Sequence, residues 1–208
     1  MQKRLKKKCK TEIKYLIGID EVGRGPLAGP VAVGAFCVKK DFKFKKLLGI
    51  RDSKKLTPEK REYFLSKILE LEKSEEVEFA VSYVSAKEID KIGISPAIKK
   101  ALKNSLKKIN KNRDDCSIFL DGGLYAPEEY KKQKTIIKGD DKIKVISCAS
   151  VVAKVLRDRL MCKLAKRYPK YGFEVHKGYG TKIHCENIRK NGICPEHRKC
   201  FLKNFLTT

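Results

Sequence analysis

The sequence has no apolar run long enough to cross a membrane, and nothing in it reads as a secretory signal. The opening "MQKRLKKKCK" is charged, but the apolar stretch that follows is short and carries Asp20 and Glu21. These absences are typical of neither a membrane protein nor a secreted one. We therefore expect a cytoplasmic protein that does not bind membranes.

Paired cysteine motifs are also missing, although the chain contains eight cysteines. No Cys-x-x-Cys pair occurs, which favours free thiols in a reducing compartment over disulfides. One group of candidate zinc ligands matches no common zinc spacing, and reduced cysteines are often buried as small apolar residues. That group is His184, Cys185, Cys194, His197 and Cys200. We expect no zinc.

Acidic residues are scarce, since 25 Asp and Glu face 49 Lys and Arg and leave a net charge of +24. Such an excess favours a polyanionic partner such as nucleic acid, although a lysine-rich composition alone could produce it. We predict a basic tail over residues 1–14 and a single catalytic domain over 15–208, ending in a short C-terminal segment at about 170–208. Internal repeats and low-complexity linkers are absent.

Hydrophobic periodicity predicts an α/β fold, a mixed sheet of about five strands flanked by helices. Two strands within 15–38 are joined by the turn "GRGPLAGP", and "VEFAVSYVS" alternates as a third. The strand in "CSIFLDGG" is expected to end at Asp121, and the strand in "KTIIKGDD" near Asp140. Helices are predicted from Thr57-Pro58-Glu59, in two pieces within 86–109, through "KVISCASVVAKVLRDRLMCKLAKRYP", and near 181–190.

Four of the scarce acids stand in or just after predicted strands. They are Asp20, Glu21, Asp121 and Asp140. Without a matching His or Cys set, clustered carboxylates suit a hard cation such as Mg²⁺ or Mn²⁺. Two such ions about 4 Å apart organise phosphodiester hydrolysis. Ordinary turn chemistry could also explain Asp-Gly-Gly and Lys-Gly-Asp-Asp. Adjacent strand residues point to opposite faces, so only one of Asp20 and Glu21 faces the site unless the strand twists.

At this point the sequence resembles the type 2 ribonucleases H, the ribonuclease HII family, over roughly residues 15–201. The similar segments follow the family's order. They are "GIDEVGRGPLAGPVAV", "DSKKL", "LDGG", "IKGDD", "ASVVAKVLRDR", "HKGYGT" and "NGICPEHRKCF".

The resemblance implies a ribonuclease H-like fold and a metal-dependent endonuclease. It implies cleavage on the 5′ side of a ribonucleotide in duplex DNA or an RNA–DNA hybrid, leaving 3′-hydroxyl and 5′-phosphate ends, as in ribonucleotide excision or RNA primer removal. The implied metal ligands, for two Mg²⁺ or Mn²⁺ ions, are the catalytic residues Asp20, Glu21, Asp121 and Asp140.

The resemblance also implies that Gly23, Arg24 and Gly25 read the RNA–DNA junction and that Tyr179 stacks on the nucleotide there. Lys54 and Lys55, in a predicted loop, are expected to meet phosphate. The residues alone leave Arg24 open as a surface ion-pair partner and Tyr179 as a core aromatic. Structural roles are favoured for His176 and His184, and an ion pair for Asp158.

Two alternative functions remain open on the sequence. A type 3 ribonuclease H would share the carboxylates and prefer longer hybrids. A non-catalytic nucleic-acid-binding protein would use the basic surface alone, but acids within a phosphate-binding groove would weaken its binding. We expect a monomer.

Overall fold

The computed structural model of the protein describes residues 12–202. A five-stranded sheet lies at its centre in the order β3-β2-β1-β4-β5. The strands are β1 (Tyr15–Val22), β2 (Val31–Lys39), β3 (Val77–Val84), β4 (Cys116–Asp121) and β5 (Gln133–Ile136). β1, β2 and β3 pair antiparallel, whereas β4 and β5 run parallel to β1. The predicted mixed sheet of about five strands is confirmed.

Helices cover both faces of this sheet. They are α1 (Pro58–Lys73), α2 (Ala86–Ile92), α3 (Ile94–Ile109), α4 (Gly139–Lys142), α5 (Lys144–Arg167), α6 (Phe173–His176) and α7 (Lys182–Asn191). α1 begins where its sequence predicts, because the Thr57 side chain accepts a hydrogen bond from Lys60 N and Pro58 occupies the first turn. Within residues 12–202, no helix has the length and hydropathy to cross a membrane.

Two apolar layers hold the sheet. On one face, α2 and α3 pack Ile89, Ile98 and Leu102 against the strands. On the other face, α1 and α5 pack residues such as Leu65 and Val152. Burial of these side chains is the main stabilising contribution, since each removes apolar surface from water.

Helix α5 lies unusually close to the centre of the sheet. A Cβ on Gly18 in β1 would lie only 2.1 Å from the Val145 backbone, and one on Gly34 in β2 would lie 2.6 Å from the Ala149 carbonyl oxygen. Because both positions lack a side chain, the helix backbone can rest directly on β1 and β2. This contact brings the first two turns of α5 beside the end of β1.

Two predicted details need correction. β5 ends at Ile136 rather than near Asp140, and Asp140 lies on the one-turn helix α4. The chain leaves the strand because Lys138 takes a left-handed conformation with φ 55°. Helix α6 was not predicted, since four residues are too few to show a helical period.

The predicted domain limits remain predictions. Most of the basic tail, residues 1–11, and the last six residues of the chain lie outside the described residues. β1 begins at Tyr15, and just before it the Lys14 amide donates to the Asp115 carbonyl oxygen at 2.8 Å.

Candidate active site

Asp20 and Asp121 come together because their strands are parallel neighbours. The β1–β4 ladder ends at the pair Ile19 and Leu120, and the two aspartates follow immediately in their strands. The carboxyl ends of parallel strands are a common position for functional side chains.

Asp140 reaches the same place through helix α4. The Gly139 amide donates to Asp121 Oδ1 at 2.6 Å, and the Asp140 amide donates to the same oxygen at 3.4 Å. The short helix therefore begins on the Asp121 carboxylate, which attracts the positive end of a helix. Asp140 is itself buried.

Glu21 completes the group, one residue before the end of the central strand β1. Its amide donates to Asp20 Oδ1 at 2.8 Å, and its own carboxylate is half-buried. Although neighbouring strand residues point to opposite faces, Glu21 interacts electrostatically with both Asp20 and Asp121. Arg24 lies 3.8 Å from its carboxylate.

Negative charge is in excess in this buried group, even with Arg24 beside Glu21. Burial, together with Glu21, Asp121 and Asp140, raises the pKa of Asp20 well above its ordinary value. Burial and the nearby Asp121 and Asp52 carboxylates raise the pKa of Asp140 to about 6. Burial also raises the pKa of Glu21, with Arg24 opposing it. A bound cation would relieve this repulsion.

Side chains from α5 and from the segment "DSKKL" adjoin the carboxylates. The Ser150 hydroxyl, on α5, hydrogen bonds to Ser53 Oγ at 2.9 Å and to Asp20. Asp52 lies close to Asp140, whose pKa it raises, and accepts from the Lys54 amide at 2.9 Å. The segment "DSKKL" therefore adjoins the site through Asp52, Ser53 and Lys54.

The two lysines of that segment, Lys54 and Lys55, have different partners. Burial opposes a charge on Lys54, but Asp52, Asp20 and Asp140 outweigh it and raise the Lys54 pKa. Lys54 thus faces the carboxylates. Lys55 instead pairs with Asp141 at 2.7 Å on the exposed side of α4.

The Gly-Arg-Gly turn begins directly after β1. Gly23 is buried with φ 84°, and a Cβ there would lie 2.1 Å from Arg157 Nε. Gly25 is exposed, and a Cβ there would meet nothing within 4 Å. The fold thus requires a glycine at 23, whereas nothing in the packing requires one at 25. The Arg24 and Gly25 amides donate to no acceptor within residues 12–202.

Tyr179 lies in the loop between α6 and α7, with 39% of its surface exposed. Its carbonyl oxygen accepts a hydrogen bond from His184 Nδ1 at 2.9 Å. The Tyr179 side chain lies close enough to Lys54, Arg157 and Arg198 to influence their pKa values. The ring is therefore neither buried in a core nor remote from the site.

The three histidines of the chain form a buried cluster beneath this loop. His184 Nε2 lies 3.1 Å from His197 Nε2, and the Cys194 amide donates to His197 Nδ1 at 2.9 Å. His176 Nε2 lies 2.8 Å from the Tyr171 carbonyl oxygen, and its Nδ1 accepts from the Gly178 amide. All six ring nitrogens are engaged in hydrogen bonds within the protein. This agrees with the structural roles expected for His176 and His184.

In the candidate zinc group, the rings of His184 and His197 are thus engaged in hydrogen bonds, and no group of three or more His, Cys, Asp or Glu side chains in residues 12–202 is arranged as a ready-made metal cage. None of the seven cysteines in that part of the chain forms a disulfide. The acidic group is an open set of oxygen ligands, which would leave positions for water or substrate oxygens.

Comparison with known proteins now identifies the family. The family model described as ribonuclease HII matches residues 17–208. The chain belongs to the ribonuclease HII family. It is 44% identical to a ribonuclease HII of Caldicellulosiruptor bescii over 195 residues, which cover 93% of this chain and 89% of that protein.

Solved structures agree with the assignment. The crystal structure of ribonuclease H2 from Pyrococcus horikoshii superimposes with a TM-score of 0.71 at 25% identity, covering 93% of this chain and all of that one. A ribonuclease HIII in complex with Mn²⁺ shares the fold, with a TM-score of 0.65 at 19% identity over 92% of this chain and 66% of that one.

Family membership makes the chain an endonuclease with ribonuclease H activity on RNA–DNA hybrids. The type 3 enzyme and the non-catalytic binding protein, both open on the sequence, are less consistent with this result. The match also confirms the predicted ribonuclease H-like fold.

Several residues at the site of this ribonuclease HII homologue escaped the sequence analysis. Ser150 carried no signal beyond its place on α5, whose rotational phase was uncertain. Arg157 did carry one, because it lies four residues from the buried Ala153 and Met161 on an apolar helix face. Arg198 lies in a loop, where no period marks it. Asp158 pairs with Lys154 at 2.9 Å, as predicted.

Proposed function

We propose that the protein hydrolyses the phosphodiester on the 5′ side of a ribonucleotide embedded in duplex DNA or in an RNA–DNA hybrid. The products would carry 3′-hydroxyl and 5′-phosphate ends. Asp20, Glu21, Asp121 and Asp140 would hold two divalent ions, and the Gly-Arg-Gly turn with Tyr179 would recognise the ribonucleotide. The convergence of four carboxylates beside this turn is the observation that carries the proposal.

The acidic group fits Mg²⁺ or Mn²⁺. Its donors are all oxygen atoms, which these hard cations prefer, and the raised pKa values of Asp20 and Asp140 indicate that it favours a cation. When bound, two such ions would supply the Lewis acidity that phosphodiester hydrolysis requires. The related ribonuclease HIII was crystallised with Mn²⁺, and the preferred ion of this protein is left to measurement.

The protein's own side chains would prepare the site. Ser150 and Ser53 keep Asp20 oriented through hydrogen bonds. The amides of Gly139 and Asp140 fix the Asp121 carboxylate. Rigid carboxylates hold their ligands within the narrow geometry that catalysis needs.

Substrate recognition would fall to the neighbouring turn. The Arg24 and Gly25 amides, which have no acceptor in the part of the chain that the structure describes, could donate hydrogen bonds to the 2′-hydroxyl, the group that distinguishes RNA from DNA. The missing Cβ of Gly25 leaves room for the sugar–phosphate backbone. Tyr179 offers an exposed aromatic face for stacking, and Lys54 a positive charge for phosphate. Lys55, already paired with Asp141, is a weaker candidate for phosphate binding.

Such an activity suits ribonucleotide excision and the removal of RNA primers. The net charge of +24 favours the duplex partner. The cytoplasmic location and the monomeric state remain predictions from the sequence.

The test uses labelled duplexes of one sequence that contain a single ribonucleotide, a stretch of RNA, or DNA only. Each is incubated with Mg²⁺ or Mn²⁺ and with wild-type protein, Asp121→Asn or Asp141→Asn. Asp141 is the matched control, because it neighbours Asp140 but lies on the exposed side, paired with Lys55.

We expect a single cut on the 5′ side of the ribonucleotide by wild type and Asp141→Asn, and none by Asp121→Asn, in EDTA, or on all-DNA duplex. Cleavage confined to long hybrids would retain the carboxylate chemistry and overturn the recognition role of the turn. Cleavage by Asp121→Asn at the wild-type rate would overturn the metal site.

A further inference from the structure

Two arginines are completely buried beneath the substrate side of the site. Arg157 on α5 and Arg198 near the C-terminal end each have 0% exposed surface. Within residues 12–202, neither guanidinium has a carboxylate within ion-pair distance. Burial lowers the pKa of both. A buried charge without a counter-ion is costly, so a compensating set of hydrogen bonds must hold it.

All of the recorded hydrogen bonds of these two groups go to backbone carbonyl oxygens. Arg157 donates from Nε to Pro30 at 2.9 Å, and from its other nitrogens to Ala28 at 3.4 Å and Lys177 at 3.1 Å. Every nitrogen of this planar group thus has a separate acceptor.

Arg198 is bound in the same way. It donates from Nε to Gly29 at 2.9 Å, and from its other nitrogens to Arg24 at 2.9 Å and Gly23 at 2.6 Å. Between them, the two arginines take five carbonyl groups of segment 23–30, which we call the junction loop.

These bonds determine which way the junction loop presents its backbone. Five of its carbonyl groups accept from the guanidinium groups, whereas the Arg24 and Gly25 amides donate to no acceptor among residues 12–202. Arg157 also binds Lys177, two residues before Tyr179, and the Gly178 carbonyl oxygen accepts from the Leu27 amide at 2.8 Å. The junction loop and the Tyr179 loop are therefore held as one unit.

We propose that Arg157 and Arg198 are positioning residues that set ribonucleotide recognition, acting through the junction loop and without touching the substrate. This inference rests on the function proposed above. The carboxylates belong to β1, β4 and α4, which these arginines do not bind. Loss of the fork geometry should therefore weaken discrimination more than the hydrolytic chemistry.

Arg→Lys is the informative substitution. Lysine keeps the positive charge, but its ammonium is a point donor on a flexible stem and cannot meet three carbonyl groups in one plane. We choose Arg198→Lys, because Arg198 binds both Gly23 and Arg24 directly. Arg159→Lys is the matched control, since Arg159 lies on the exposed side of α5 and pairs with Glu62.

The measurement is kcat and KM on two duplexes, one with a single ribonucleotide and one with a long RNA–DNA hybrid. Misplacement of a binding group by about 1 Å can cost about 100-fold, so we expect Arg198→Lys to lose 10- to 100-fold in kcat/KM on the single ribonucleotide. The loss on the long hybrid should be several-fold smaller, and Arg159→Lys should match wild type on both substrates.

Mn²⁺ affinity and melting temperature are measured in parallel. An equal loss on both substrates, together with weaker Mn²⁺ binding, would show a purely structural role and overturn the inference. Unchanged kinetics of Arg198→Lys would overturn it as well. The wild-type protein tests the proposed function separately. If wild type does not cut the single-ribonucleotide duplex, the proposed function is wrong, whatever the variants do.

Discussion

The acidic group and the junction loop, the two halves of the candidate site, have opposite electrostatic environments. The acidic group at the ends of β1 and β4 and on α4 brings like charges together, with Arg24 and Lys54 nearby, and burial and mutual repulsion raise the pKa values of Asp20, Glu21 and Asp140. The junction loop surrounds two buried cations with carbonyl oxygens and leaves no nitrogen of either side chain without an acceptor.

This difference indicates how the work is divided. The acidic group favours a cation, and in the proposed function its geometry would become final only when ions and substrate bind. The junction loop is held by hydrogen bonds within the protein alone, so it would be pre-organised for the proposed substrate. If the proposed function holds, chemistry and recognition would rest on separate sets of residues that can be altered independently.

The largest effect should come from Asp140→Asn. Removing this carboxylate is expected to lower the cleavage rate by about 10²–10³-fold, the range found when one group is deleted from a preorganised active site. The same change should stabilise the protein in EDTA by about 1 kcal/mol, because burial and Asp121 make the ionised form unfavourable at neutral pH.

Cleavage assays and thermal unfolding in EDTA check both expectations. Asp141→Asn should change neither activity nor melting temperature appreciably, since Asp141 is paired on the exposed side of α4. A fall in the melting temperature of Asp140→Asn would contradict the electrostatic description of the acidic group.

A pair of glycine substitutions should sharpen the contrast within the junction loop. Gly23→Ala would drive a Cβ into Arg157 and impose φ 84° on alanine, so we expect it to destabilise the protein by about 2–3 kcal/mol. Gly25→Ala meets no atom and should cost less than about 0.5 kcal/mol.

Both variants are expected to cleave the single-ribonucleotide duplex poorly, Gly23→Ala through distortion of the loop and Gly25→Ala through contact with the substrate. Urea unfolding separates the two causes. Equal losses of stability in the two variants would contradict the conclusion that the fold requires glycine at position 23 but not at 25.

The smallest effect concerns acid stability. Burial lowers the pKa of His184 and His197 to about 4. An unfolded histidine binds a proton near pH 6.5, whereas these two stay neutral in the folded protein until about pH 4. The free energy of unfolding should therefore fall between pH 6.5 and 4, by about 1–2 kcal/mol after partial solvent screening, and be insensitive to these groups above that range.

Urea unfolding at pH 7.5 and pH 5 measures this slope. His184→Gln removes one of the titrating groups and should make the slope shallower, whatever its effect on absolute stability. Since the raised pKa of Asp140 contributes with the opposite sign, the difference between the two proteins is the useful quantity. Identical slopes would refute the assignment of acid sensitivity to the histidines.

Much of the fold could be predicted from the sequence, because its elements show clear periods. The Thr57-Pro58-Glu59 start, the break at Gly93 and the end of β4 at Asp121 all agree with the structure. The predicted end of β5 near Asp140 was wrong, because a left-handed Lys138 and a single helical turn leave no period in the sequence.

The candidate site was predictable only in part. Places in or just after predicted strands suggested Asp20, Glu21, Asp121 and Asp140, and the resemblance added their role as metal ligands. The contacts of Ser150 and Arg198 could not be foreseen, because they depend on how distant segments pack. Arg157 was foreseeable from its place on the apolar face of α5, yet its carbonyl partners come from two separate loops.

The claim that chemistry and recognition are separable is tested most directly by substrate binding to Asp121→Asn. Fluorescence anisotropy with Mg²⁺ would compare two duplexes of identical sequence, one with a single ribonucleotide and one of DNA only. One additional hydrogen bond to the 2′-hydroxyl corresponds to a preference of about tenfold, and we predict that this inactive variant keeps it. Equal affinity for the two duplexes in Asp121→Asn, beside a clear wild-type preference in cleavage, would contradict the account.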